Sequence, residues 1–186
     1  MIHLSINPKI SMEELSIEKR TNAKVIGLLS DTHIPSRAKR LPDGITKIFS
    51  HVDLIIHAGD LTSIEVIEEL EAFAPVLAAH GNMDPPDVKA GLPWMGLMEV
   101  YETRIGVIHD VGSLWGMKTM KKTARENHLN ILVFGHTHRS FMKWDEGTLF
   151  INPGSPTNPL PPFITKPTVG LLMVTRQTVK PFIIEV

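Results

Sequence analysis

The sequence contains no cysteine in 186 residues. That absence excludes a disulfide framework, a thiolate zinc site, an iron–sulfur cluster and a cysteine nucleophile. Excess charge is missing too. The 19 Lys and Arg nearly balance the 20 Asp and Glu, so no global positive field marks a protein that coats nucleic acid. No apolar run approaches the roughly 18 residues that a membrane-spanning helix needs. Apolar residues at 42% and charged residues at 21% sit near the soluble average, which removes the disordered class. What remains for chemistry is histidine, present nine times.

A chain of this length buries a substantial core as one domain. Residues 1–23 read as an extension before the first strong strand, with Ser11 and Glu14 as a capping box for a short helix through Leu15 and Ile17. This extension is either a surface arm or a segment packed on a second subunit, which would make the protein a homo-oligomer. Met1-Ile2-His3-Leu4 lacks a basic stretch leading into an apolar one, so a secretory signal is not expected and a cytoplasmic location is. Residues 24–186 form one domain without repeats.

From Val25 the pattern is apolar strand, polar turn, helix of period 3.6, strand. Val25–Leu29 is the first strand, and Ile45, Ile48, Phe49 and Val52 line the helix after it. Leu54–Ile56 is the second, followed by a capping box at Thr62 and Glu65 and a buried stripe of Ile64, Ile67 and Leu70. Val76–Ala79 is the third. A loop with Pro85, Pro86 and Pro93 leads into a hairpin of Leu97–Tyr101 with Ile105–Ile108. A helix carrying Met117, Met120 and Ala124 precedes Ile131–Phe134, and hairpins fill the remainder. Mixed strands between helical layers imply an α/β fold, a four-layer αββα sandwich of two mixed β-sheets flanked by helices.

The polar residues fall where these strands end. Five strands run into Asp31-Thr32-His33, Gly59-Asp60, Gly81-Asn82, His109 and Gly135-His136-Thr137-His138. Ligands bind at that edge of an open α/β sheet, because its loops diverge there. Two carboxylates, one amide oxygen and four imidazoles exceed the needs of a single ion and suit two divalent ions sharing a carboxylate. With a bridging hydroxide such a centre carries a net charge of about +1, which attracts a phosphodiester anion. Gly59, Gly81 and Gly135 are expected to let the backbone turn sharply beside it.

In order and spacing, these segments, with Met83-Asp84 after Asn82, resemble the five-part signature of calcineurin-like metallophosphoesterases. Asn152-Pro153-Gly154-Ser155 resembles a segment of their small prokaryotic (archaeal and bacterial) phosphodiesterase branch. The resemblance covers roughly residues 24–186. It implies that Asp31, His33 and His138 hold one metal, that Asn82, His109 and His136 hold a second, and that Asp60 bridges them. Mn²⁺, Ni²⁺, Fe, Co²⁺ and Zn²⁺ are all compatible with such ligands. It further implies in-line attack on phosphorus by a metal-bridging hydroxide, with Asn82, His109 and Asp60 as catalytic members and Asn82 able to donate to the phosphate.

Two positions depart from the pattern. Relatives often place a general-acid histidine directly after the asparagine, where this chain has Met83, and a thioether donates no proton. Substrates with a good leaving group are therefore expected. After His109, Asp110-Val111 replaces Gly-His. Asp110 either accepts a hydrogen bond from a ligand imidazole or trims the positive potential.

The expected function is hydrolysis of a small phosphodiester, without membrane contact or a long nucleic-acid footprint. A phosphomonoesterase or nuclease on the same centre, and a protein-binding scaffold like the retromer subunit of this superfamily, are the alternatives. His57 and His80 read as structural and His3, His51 and His128 as solvated. Arg37, Lys39 and Arg40 either steer a phosphate or line an ordinary loop. Lys118, Lys121, Lys122 and Arg125 read as a wet helix face, and Trp94, Met95, Leu97 and Met98 as core.

Overall fold

The computed structural model describes residues 22–110, 116–161 and 164–186. The expected helix at Ser11–Ile17 and His3 lie outside them. Two five-stranded mixed sheets pack face to face between helices. The first runs in the order β10 (Val179–Glu185), β9 (Thr168–Val174), β1 (Lys24–Leu29), β2 (Leu54–Ala58), β3 (Val76–Ala79). The second runs β4 (Met95–Val100), β5 (Thr103–Ile108), β6 (Ile131–Val133), β8 (Thr148–Pro153), β7 (Ser140–Asp145). β1, β2 and β3 are parallel, as are β5, β6 and β8, while β9, β10, β4 and β7 pair antiparallel.

The period-2 alternation of each strand divides its side chains between two cores. Ile26 and Leu28 of β1 join Ile56, Ile105, Val107, Ile131, Val133 and Ile151 in the layer between the sheets. Val25 and Leu29 face the other way, onto helices α1 (Asp43–Phe49) and α2 (Glu65–Glu71) through Ile45, Phe49, Val66 and Leu70. Outside the second sheet, α4 (Gly116–Glu126) lays Met120 and Ala124 on Leu132 and Phe150. Gly27 is the close contact that joins α1 to β1, since a Cβ there would lie 2.9 Å from the Phe49 ring. Among the described residues no helix is long and apolar enough to cross a membrane.

Five local expectations change. The Thr62–Glu65 capping box does not form. The Thr62 hydroxyl donates to Ile34 O at 2.9 Å, its N–H goes to Asp84 Oδ1 at 2.7 Å, and the Glu65 N–H uses Ser63 Oγ at 3.3 Å instead. The α2 stripe shifts accordingly: Val66 and Leu70 are buried and Ile64 is exposed. The proline-rich loop contains a short helix, α3 (Pro86–Gly91), because a proline in the first turn lacks only an N–H that would have no partner there. On α4, Lys121 reaches Asp145 at 2.8 Å and Arg125 pairs with Glu146, so that face ties the helix to the β7–β8 turn. Of the apolar stretch, Met95 and Met98 are half-buried, but Trp94 and Leu97 are open to solvent.

Candidate metal centre

All seven histidine, carboxylate and amide positions expected at the strand ends converge on one edge of the sandwich. Asp31 and His33 follow β1, Asp60 follows β2, Asn82 follows β3, His109 follows β5, and His136 and His138 follow β6. The loops are locked by backbone hydrogen bonds between neighbouring strand ends: Asp31 N–H to Gly59 O, His33 N–H to Asp60 O and Gly135 N–H to His109 O, each at 3.0 Å.

The sharp turns sit on the polar residues themselves. Asp31, His33, Asp60, His136 and His138 have φ of 54°, 45°, 56°, 72° and 57°. A side chain in this left-handed region costs of order 1 kcal/mol or more, and such strain persists only where the surroundings impose it. Of the three flanking glycines only Gly59 has positive φ, at 78°. Gly81 and Gly135 serve close approach instead: a Cβ on Gly81 would run into Asp60, and one on Gly135 would lie 2.6 Å from Ala58 O.

The donors form two neighbouring groups. His138 Nε2 is 3.2 Å from His33 Nε2 and 3.4 Å from Asp31 Oδ1. His138 donates its other ring N–H to Asn158 O at 2.6 Å, so Nε2 keeps its lone pair pointing at that neighbour. Asn82 Oδ1 is 3.1 Å from His109 Nε2 and from His136 Nδ1. Between the groups, Asp60 Oδ2 is 3.3 Å from His109 Nε2 and 3.7 Å from His33 Nε2. Converging carboxylate, amide and imidazole donors, with two imidazoles oriented by backbone carbonyls, fit divalent cations.

The electrostatics follow from burial. Desolvation holds the Asp31 carboxyl above its ordinary pKa, against the charges of His109 and His138. Desolvation also works to raise Asp60, but the hydrogen bond and charge of His109 and the Met83 N–H outweigh it and hold Asp60 below the ordinary value. His109 shows the reciprocal balance: burial lowers it, and the bond to Asp60 with the charges of Asp31 and Asp60 raises it overall. His33 is pushed down to about 4, chiefly by burial, and so is neutral and ligand-competent near pH 7.

A second layer of residues, whose roles spacing alone does not reveal, holds these donors. Asp84 is buried and accepts three backbone N–H groups: Gly81 at 2.7 Å, Thr62 at 2.7 Å and Asp60 at 3.1 Å. One carboxylate thereby fastens the β2 and β3 loops together. Asn152 donates to Gly135 O at 2.7 Å, and Ser155 donates to Asp31 O at 2.7 Å. His109 donates from Nδ1 to Ala58 O at 2.8 Å. Asp110 lies 3.8 Å from His136 Nε2, on the opposite side of that ring from Asn82.

Other positions stay outside the cluster. His57 is fully buried against Thr32 Oγ1 at 3.1 Å, and burial pushes it down to about 3. His80 is half-buried, while His51 and His128 are exposed. Arg37, Lys39 and Arg40 are exposed on the loop after His33, with Arg40 paired to Asp43 at 3.4 Å. The Met83 side chain is 52% exposed while its N–H donates to Asp60 Oδ1 at 2.7 Å.

Two mixed sheets in an αββα sandwich, with a candidate metal centre at their carboxyl edge, define a metallophosphoesterase fold. A calcineurin-like phosphoesterase superfamily domain matches residues 25–177, and the chain belongs to that superfamily. It is 39% identical over 151 residues to a probable metallophosphoesterase of Methanothermobacter thermautotrophicus, covering 81% of this chain and 86% of that protein. It is 26% identical over 172 residues to a Methanocaldococcus jannaschii protein named a phosphodiesterase, covering 86% and 99%. Among solved structures, Vacuolar Protein Sorting 29 from Cryptosporidium parvum superposes with a TM-score of 0.78 at 23% identity, covering 88% of this chain and 92% of that one. A Thermotoga maritima protein reaches 0.68 at 30% identity, covering 88% and 99%.

Proposed function

We propose that the protein is a phosphodiesterase working through two divalent ions, one at Asp31, His33 and His138 and one at Asn82, His109 and His136, with Asp60 shared. The observation that carries this reading is the position of the Asp60 carboxylate between His109 and His33, each belonging to a different donor group. Divalent ions held there supply a bound water of lowered pKa and positive charge against the phosphoryl oxygens.

The chain's own residues do the rest. Asp31 and Asp60, both beside His109, would carry the negative charge that balances the ions. Carbonyls of Ala58 and Asn158 fix the tautomers of His109 and His138, so each presents Nε2 inward. In this reading the Asn82 amide, whose oxygen meets two imidazoles, donates from its NH2 group to a phosphoryl oxygen. Met83 supplies no proton to the departing oxygen, which favours esters whose leaving group is already stable as an anion. A net charge of −1 on the whole chain suits a small diester better than a long polyanion.

The likeness to Vacuolar Protein Sorting 29, at 23% identity, is one of fold alone. A phosphomonoesterase on the same centre differs in substrate only, so a panel decides. Loaded with Mn²⁺ or Ni²⁺, the protein is expected to bind about two ions per chain and to cleave an activated aryl phosphodiester faster than the matching monoester. His136→Ala is expected to lower that rate by 10²-fold or more. No metal-dependent turnover, or an unchanged rate in the variant, overturns the reading.

A further inference from the structure

On the outer face of the second sheet, α4 and the β6–β7 connection enclose a cavity of about 390 Å³. Its walls are apolar. Met117 and Met120 come from α4, Phe134 from the end of β6 and Phe141 from β7. The two rings meet at 6.0 Å between centroids with an angle of 57°, so they form a corner rather than a flat stack. Phe134 is buried and Phe141 is 38% exposed, so the recess is closed on one side and open on the other.

The rim differs in kind. Thr137, Arg139 and Ser140 complete the lining, and no lining residue is acidic. Arg139 is anchored through its main chain: its N–H donates to Thr137 Oγ1 at 3.4 Å, and its carbonyl accepts from the same hydroxyl at 3.2 Å. Asn152 Nδ2 in turn donates to Thr137 Oγ1 at 3.2 Å. The Asp145 and Glu146 carboxylates, at the far end of β7, are taken by Lys121, Lys143 and Arg125. Among the described residues the Arg139 guanidinium has no carboxylate partner. A cation without a counter-charge therefore borders an apolar hollow.

Each half of this lining selects something. A volume of this size lies within the range of small-molecule sites and admits one or two fused rings. Methionine walls adapt to an apolar body and make favourable sulfur–aromatic contacts. A guanidinium receives a carboxylate through two parallel N–H donors. A neutral ligand would leave Arg139 unanswered, and a purely ionic one would leave the rings in water.

We propose that this cavity binds a small aromatic carboxylate, with the ring system against Phe134, Phe141 and the two methionines and the carboxylate on Arg139. The site is separate from the candidate metal centre: none of the metal-donor positions lines it, and its occupation requires no metal. Thr137 stands between His136 and His138, so the ligand rests against the loop that carries them.

The test uses 2-naphthoate on the full chain, either treated with chelator or loaded with Zn²⁺. Calorimetry is expected to show one ligand per chain with similar affinity in both states. In protein carrying methyl-labelled methionine, the Met117 and Met120 signals, assigned by Met117→Leu and Met120→Leu, are expected to shift on titration while the other methionine methyls stay in place. Arg139→Gln is expected to weaken 2-naphthoate about tenfold and to leave neutral 2-naphthalenemethanol unchanged. Phe141→Ser is expected to weaken both ligands. Arg139 and Phe141 are exposed, so melting temperatures near the parent's are expected for these two variants. No saturable binding in the millimolar range, shifts confined to other methionines, or an affinity for 2-naphthoate that Arg139→Gln leaves unchanged overturns the proposal. Binding seen only with Zn²⁺ overturns it as well, because the carboxylate then sits on the metal.

Discussion

Single side chains set the chemistry of the edge. Met83 stands beside Asn82 with its side chain in solvent, so replacing it disturbs no core. Met83→His is therefore expected to fold normally and to raise turnover of poorly leaving esters by about 10-fold or more, with little gain on activated ones, because a positioned general acid contributes roughly 10²–10⁴ where it fits fully. Rates on a graded series of leaving groups check this; an equal gain across the series is the contrary result. Asp110 puts a carboxylate 3.8 Å from His136 Nε2, on the side of the ring opposite Asn82, and so adds negative charge beside the donor cluster.

Elements decide how precisely these side chains meet. The β2 and β3 loops are held by one group, since the Asp84 carboxylate takes N–H donors from Asp60, Thr62 and Gly81. Asp84→Ala leaves three inward backbone donors without that partner, and a buried donor so stranded costs about 1–3 kcal/mol. The variant is expected to lose at least about 3 kcal/mol in urea unfolding and to bind metal at least tenfold more weakly by calorimetry. Asp84→Asn, which keeps one oxygen in place, is expected to lie between. The strands themselves were legible in sequence, because aliphatic alternation is a local signal. Helix α3 was not, because three prolines read as a loop until Val88 is seen buried in the core. The Thr62 cap failed for a similar reason: a hydroxyl suited to cap a helix was drawn to Ile34 and its N–H to Asp84.

At the scale of the whole molecule, burial couples the site to stability. His57, pushed down to about 3, and His33, pushed down to about 4, are neutral in the folded protein, whereas in the unfolded chain they titrate near 6.5. Between those values the unfolded state binds more protons, so this contribution to stability is complete above about pH 6.5 and is lost as the pH falls. Each such imidazole adds a slope of about 1.4 kcal/mol per pH unit. Urea unfolding of metal-free protein between pH 5 and 6.5 is expected to show His57→Leu with a slope shallower by about that amount; equal slopes contradict it. Protons also compete with metal at Asp31 and His109, both raised, so metal affinity is expected to fall as the pH drops. Bound metal is expected to raise the melting temperature, since a ligand at 100 times its dissociation constant adds about 2.7 kcal/mol.

The sequence by itself determined the strand order of polar residues: Asp31, His33, Asp60, Asn82, His109, His136 and His138 each follow an apolar run, and an apolar run followed by a polar turn is readable without knowing what lies across from it. It also determined, through the absence of cysteine, that any metal chemistry is carboxylate, amide and imidazole chemistry. Only the tertiary structure decided that left-handed turns fall on the ligands rather than on all three glycines, that Asp84 fastens two loops, that Asp110 stands beside His136 and that Lys89 reaches the Asn82 carbonyl. The last three join different loops or elements, and contacts of that kind are set by how sheets and loops pack in three dimensions. Residue type and spacing specify a donor; which atom it meets is fixed when the two sheets close on one another.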